Sequence, residues 1–141
     1  MENKMTLRFC ALSHNESFAR VSVGVFASLL NPTLSQLADI KTAVSEAVTN
    51  SIIHAYEPGQ SGEVELYARL YRGDLYIEVR DFGRGIKDVE KALTPFYTSC
   101  EGDERSGMGF TVMETFMDEL EVISEPGKGT VVRMTKHICN E

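Results

Sequence analysis

Glu46 and Asn50 stand one helical turn apart in Ser45-Glu46-Ala47-Val48-Thr49-Asn50, so a carboxylate and a carboxamide share one helix face. Further along, Asp81-Phe82-Gly83-Arg84-Gly85 closes an alternating apolar run with a carboxylate and two glycines, where backbone can approach a ligand closely. A third segment, Arg105-Ser106-Gly107-Met108-Gly109-Phe110, sets a guanidinium before small residues that open a helix, whose free N–H groups attract anions. Read together, the three segments describe a nucleotide site.

The chemistry follows from the residue types. Mg²⁺ takes oxygen ligands and keeps several waters, so the Asn50 carbonyl oxygen and phosphate oxygens can complete its shell. Glu46 beside it can orient or deprotonate a hydroxyl or water that attacks a terminal phosphate. Asp81 can accept a hydrogen bond from an adenine amino group while Gly83 and Gly85 let the ring lie against backbone. Each segment also has a plainer reading: a solvated polar face, an Asp-x-Gly turn, a chance Gly-x-Gly. Their conjunction favours the site. Asp81-Phe82-Gly83 spells the magnesium motif of eukaryotic-type protein kinases, but the glycine loop, strand lysine and H-R-D loop of those enzymes are missing, as is a Walker A lysine.

The rest of the composition narrows the class. The 141 residues are 43% hydrophobic and 25% charged, which fits a single domain over residues 1–141. The net charge is −7 with Lys and Arg scattered, so no nucleic-acid partner is expected. Val21 to Leu30 is interrupted by Ser22, Gly24 and Ser28, and no signal-like stretch follows the start, so a cytoplasmic protein without a membrane partner is expected. Cys10, Cys100 and Cys139 lack zinc or dithiol spacing, and His14, His54 and His137 lie on different elements without ligand spacing.

The elements that must position these residues can be read from periodicity. Met5, Leu7 and Phe9 alternate as an opening strand, and Ser13-x-x-Glu16 has capping-box spacing ahead of a helix with Phe18, Val21, Val25 and Leu29 at helical intervals. After Asn31-Pro32, Thr33-x-x-Gln36 caps a longer helix with the stripe Leu37, Ile40, Val44, Ala47 and Ser51, stopped by Pro58-Gly59. Glu46 and Asn50 fall away from that stripe. The period then changes to two: Val64, Leu66, Ala68 and Leu70, then Leu75, Ile77 and Val79 after Arg72-Gly73-Asp74, predict a hairpin. A short helix near Val89 to Leu93, a helix from about Gly107 burying Phe110, Met113 and Met117, and strands near Leu120 to Ile123 and Thr130 to Met134 complete the chain. The pattern predicts an α+β two-layer sandwich.

These residues, in this order, resemble the GHKL ATPases, whose boxes are matched by Glu46/Asn50, Asp81/Gly83/Gly85, Gly107/Gly109 and Gly129/Thr130. Within them the chain is similar to the bacterial anti-sigma factor serine kinases, and among these to the sporulation members that act on sigma factor F. The likeness runs through Asn15 to Arg20, Ser45 to Ile53, Arg105 to Thr111 and Phe116-Met117-Asp118. It implies a Bergerat-type α/β sandwich, a mixed, mostly antiparallel sheet covered on one face by helices.

The resemblance also implies a homodimer that holds sigma factor F inactive and, with ATP and Mg²⁺, phosphorylates a serine of an anti-anti-sigma factor. By it Glu46 is the general base, Asn50 the metal ligand, Asp81 the adenine acceptor supported by Thr130, and Arg105 the cation at the γ-phosphate. Ser106, Gly107, Met108, Gly109 and Phe110 form the phosphate-binding segment, and Glu16 and Arg20 the partner surface. The chain departs from the family at Phe96 to Asp103, which lacks the lid lysine, and at Ala55, where the family usually has Gly. The alternatives are an anti-sigma kinase for a stress-response sigma factor, a detached histidine-kinase ATPase domain, and a sequestering module that binds ATP without catalysis. The helix before Pro32 offers no phosphoacceptor histidine for the second, and the presence of Glu46 disfavours the third.

Overall fold

In the computed structural model, which describes residues 2–94 and 109–139, five strands form one sheet in the order β1-β2-β3-β5-β4. The strands are β1 (Glu2–Cys10), β2 (Glu63–Tyr71), β3 (Asp74–Asp81), β4 (Glu119–Glu125) and β5 (Gly129–His137). All four pairings are antiparallel, so the expected mixed sheet is wholly antiparallel among the described residues. The physical reason is connectivity: β2–β3 and β4–β5 are joined by tight turns that only antiparallel neighbours accept. Arg72 and Gly73 supply the first turn with φ of 51° and 82°, the paired positive angles that match the sheet's twist.

Alternation then decides what each strand buries. Val64, Leu66, Ala68 and Leu70 of β2 and Leu75, Ile77 and Val79 of β3 point to one face and are fully buried. Against that face lie α1 (Asn15–Ala27), α2 (Leu34–His54) and α4 (Gly109–Phe116), while α3 (Val89–Ala92) is a single turn beyond β3. A 3₁₀ turn at Ser28–Leu30 and Asn31, left-handed at φ 52°, reverse the chain between α1 and α2. Helix α2 carries the expected capping box, with Thr33 Oγ1 accepting from Gln36 N–H at 3.0 Å and the Gln36 side chain accepting from Thr33 N–H at 2.9 Å. Its buried residues are Ile40, Ala43, Val44, Ala47, Val48 and Ser51, the stripe read from periodicity with its flanks, except that Leu37 is only partly buried.

Two details differ from expectation, and a third decides a helix face that periodicity left open. No capping box forms at Ser13, because the Glu16 carboxylate is taken by Arg20 and Ser45 instead of the backbone. Helix α1 buries its small residues Ala19, Val23 and Ala27, whereas Phe18, Val21, Val25 and Leu29 form an outward apolar stripe, Phe18 52% and Val25 67% exposed. Small residues let α1 approach α2 closely: a methyl on Gly24 would lie 2.8 Å from the Lys41 side chain. Helix α2 stops at His54, before Pro58-Gly59, as the Ala55 carbonyl turns to accept from Arg84 N–H at 2.8 Å.

Candidate nucleotide-binding site

The C-terminal turn of α2, the end of β3 and the β4–β5 hairpin meet at Asp81. This residue is 5% exposed; its Oδ1 accepts from Gly83 N–H at 3.1 Å and Thr130 N–H at 3.2 Å, and the Ser51 hydroxyl lies close by and favours the ionised form. Burial pushes its pKa above the usual carboxylate value, and these three groups only partly offset that desolvation. A strand-end carboxylate so held is a suitable acceptor for an exocyclic amine, whose donated proton favours the charged form.

The supporting shell is woven through hydroxyls and backbone. Ser124 Oγ accepts from Ile86 N–H at 2.6 Å and lies 3.1 Å from the Gly129 carbonyl oxygen and 2.8 Å from Thr130 Oγ1. With the single Ser124 proton given to Gly129, the Thr130 hydroxyl donates to Ser124 and keeps its own lone pairs as acceptors. Tyr56 donates to the Glu63 carbonyl at 2.6 Å and accepts from Phe82 N–H at 3.0 Å, which fixes the exit from β3. Gly127 N–H donates to the Arg84 carbonyl at 2.8 Å, tying the hairpin to the same loop.

The glycines have a folding role independent of any ligand. A Cβ on Gly83 would lie 2.0 Å from the Ala55 carbonyl oxygen, and one on Gly129 (φ 121°) 2.2 Å from that of Asp81. At Gly85 (φ 75°) it would meet the Glu125 carbonyl oxygen at 2.3 Å. Main chains cross here at distances that exclude any side chain.

Glu46 and Asn50 are half-buried on α2, and Ser51, next to Asn50, reaches Asp81. The fold thus joins the two segments that the sequence separates. No group of three His, Cys, Asp or Glu side chains gathers for a metal among the described residues. A cation held by Asn50 would draw its other ligands from phosphate oxygens and water, which fits the preference of Mg²⁺. Gly109 and Phe110 begin α4, with Phe110 packed against the core. Arg105, Ser106, Gly107 and Met108, together with Cys100 and the segment Phe96 to Asp103, lie outside the described residues. Glu16 and Arg20 sit apart on α1, joined Nε to Oε1 at 3.1 Å, with Arg20 Nη2 also 3.3 Å from Ser17 Oγ.

Ser51, Tyr56 and Ser124 escaped the sequence reading as site residues. Ser51 had a signal, a hydroxyl within an otherwise apolar stripe, whereas Tyr56 and Ser124 act through contacts that only the fold creates.

No helix among the described residues is long and apolar enough to cross a membrane. Residues 12–136 match the family of histidine kinase-like ATPase domains. The chain is 60% identical over 136 residues to an anti-sigma F factor of Caldanaerobacter subterraneus subsp. tengcongensis, covering 96% of this chain and 94% of that one. Its fold is similar to the RsbU and RsbW domains of Rv1364c from Mycobacterium tuberculosis, with a TM-score of 0.70 and 21% identity over 96% of this chain and 32% of that one. It is also similar to the catalytic domain of histidine kinase ThkA, with a TM-score of 0.60 and 15% identity over 95% and 96% of the two chains.

Proposed function

We propose, from the premise that this chain belongs to the anti-sigma F factor family of histidine kinase-like ATPase domains, that it binds and inhibits sigma factor F and phosphorylates a serine of an anti-anti-sigma factor. The observation that best supports this reading is that the end of α2 is tied to the Asp81 loop, through the Ala55 carbonyl to Arg84 N–H and with Ser51 beside Asp81, which joins the helix of Glu46 and Asn50 to the adenine-type acceptor. Asp81 receives the adenine amino group, backed by Thr130 and Ser124. The Asn50 carbonyl oxygen holds Mg²⁺. ATP, when bound, supplies the phosphoryl group. Glu46 takes the proton from the acceptor serine hydroxyl, a role open to a half-buried carboxylate one helical turn before Asn50. Arg105 neutralises charge at the γ-phosphate, and the segment Ser106 to Phe110, which leads in sequence to α4, cradles the phosphates.

Glu16 and Arg20 meet both protein partners on α1, so that the two compete for one surface. The outward apolar stripe Phe18, Val21, Val25 and Leu29 supports a homodimer, since a second copy would cover it. Whichever partner binds one nucleotide state better shifts the equilibrium by that difference in affinity.

The test is incubation with labelled ATP, Mg²⁺ and a candidate anti-anti-sigma protein from the same genome, followed by mapping of the phosphorylated residue and pull-down of sigma factor F. Stable phosphoserine on the partner is the expected result. ATP binding without transfer to any candidate would overturn the kinase reading and leave a sequestering module.

A further inference from the structure

Ser45 precedes the proposed base Glu46 on α2, and its hydroxyl reaches across to α1, where it donates to Glu16 Oε1. A mid-helix serine ordinarily bonds back to the carbonyl one turn earlier; this one gives its proton to a carboxylate on another helix. That same Oε1 also accepts from Arg20 Nε at 3.1 Å, and the guanidinium reaches Ser17 Oγ as well, so Ser45, Glu16, Arg20 and Ser17 form one chain of hydrogen bonds. Glu16 is the more buried end of the pair, its side chain 21% exposed, and Arg20 the more open end at 36%. Burial raises the Glu16 pKa, but the Ser45 bond and the Arg20 charge outweigh it and leave the carboxyl below its usual value. Asn15 Nδ2 bonds the Cys10 carbonyl at 2.8 Å, so the first turn of α1 is tied to the end of β1 as well.

We propose that Ser45 is a positioning residue for the protein acceptor: by holding Glu16, it fixes the Glu16–Arg20 pair of α1 in register with the Glu46 turn of α2. A partner docked on the α1 pair then presents its serine to the carboxylate one residue from the point where the helices are joined. This rests on the kinase reading and on the partner role of Arg20. It goes beyond them by assigning to one hydroxyl the link between docking and chemistry.

The experiment is steady-state phosphotransfer to the acceptor identified above, with Ser45→Ala, Ser45→Thr, Arg20→Ala and the Ser45→Ala/Arg20→Ala pair, alongside ATP affinity and thermal melting. Ser45→Ala should raise the acceptor KM about five- to tenfold, with kcat and the ATP Kd within about twofold of wild type. Ser45→Thr, which keeps the hydroxyl, should recover most of the loss. In the Arg20→Ala background the Ser45 change should raise KM markedly less than in the wild type, because part of its effect passes through Arg20. An unchanged KM in Ser45→Ala, or equal KM effects in both backgrounds, would overturn the inference while leaving the kinase reading intact. Absence of transfer by the wild type would overturn both. Should Ser45→Ala fail to fold, Glu16→Ala interrupts the same chain from α1, and an unchanged KM there has the same force.

Discussion

At the Asp81 corner the contacts run through main chain: Gly83 and Thr130 amides on the carboxylate, Arg84 on the Ala55 carbonyl, and three glycines where strands and loops nearly touch. On the outer face of α1 they run through side chains, with Glu16, Arg20 and Ser17 linked above an apolar stripe open to solvent. The first construction preorganises a site for one small ligand at fixed distances, since backbone atoms cannot change rotamer. The second places charge and apolar area on outward side chains, an open surface rather than a cage. Glu46 lies between them on α2.

That intermediate position gives the largest expected effect. Glu46→Gln should lower phosphotransfer about 10²- to 10⁴-fold while ATP and sigma-factor binding stay near wild type, measured by initial rates and titration. Residual transfer above about a tenth of wild type would remove Glu46 from the base role.

Within the main-chain region, Gly83→Ala should destabilise the fold by about 2–4 kcal/mol in a denaturant titration, because the added methyl meets the Ala55 carbonyl oxygen. Gly127→Ala is the comparison: its φ of 82° is strained for alanine but nothing stands within 4 Å, so about 1 kcal/mol is expected. Equal losses would mean that backbone crossing is not what demands glycine here. Asp81→Asn separates function from stability at the same corner. It should weaken ATP binding about 10- to 100-fold, as an amide is a poorer acceptor for the adenine amine. At neutral pH it should also raise the melting temperature, since it removes a buried charge whose desolvation exceeds its hydrogen bonds.

Arg20→Glu probes the side-chain region and should weaken sigma-factor binding about tenfold or more with ATP affinity unchanged. An unaltered sigma titration would detach Arg20 from the partner surface. A parallel loss of ATP binding would show that the two regions are not separable.

The two regions were also unequally legible in the sequence. Strands β2 and β3 followed from strict alternation around Arg72-Gly73-Asp74, and α2 from a capping box with a clear apolar stripe, because these signals are local. Asp81 with its glycines stood out for the same reason. What escaped was contact between distant segments: Ser51 on Asp81, Tyr56 under Phe82, Ser124 beside Thr130, each separated by tens of residues or by a hairpin. On α1 the periodicity showed an apolar stripe without showing which face was core. Alanine and valine won the inside because α2 lies too close for Phe18 or Leu29. Glu16 illustrates the same limit, since its spacing from Ser13 predicted a cap, whereas its carboxylate serves Arg20 and Ser45.

The smallest expected effect uses the other end of β3 as a reference for the Asp81 corner. Asp74 Oδ1 and His137 Nδ1 are 2.8 Å apart at the exposed end of the sheet, and His137 N–H donates to Asp118 Oδ2 at 2.7 Å. The Asp74 hydrogen bond raises the imidazole pKa, desolvation opposes it, and the charges of Asp74, Asp118 and Glu119 add to the rise. A raised pKa in the folded state gives stability that is fully present below the unfolded value of 6.5 and is lost as pH rises through the folded one. Asp81 has the same sign, since its pKa also lies above the ordinary 3.8, but its window is acidic. Both ends of one strand therefore hold protons more tightly when folded, one in a buried main-chain cage and the other on an exposed pair screened by salt. His137→Gln should lower the melting temperature slightly at pH 6 and leave it unchanged well above neutrality, with the difference shrinking in high salt. Asp81→Asn should change how the melting temperature varies with pH only in the acid range, keep its gain at neutral pH, and be insensitive to salt. If salt reduced both differences alike, the contrast between a caged and an exposed carboxylate would not hold.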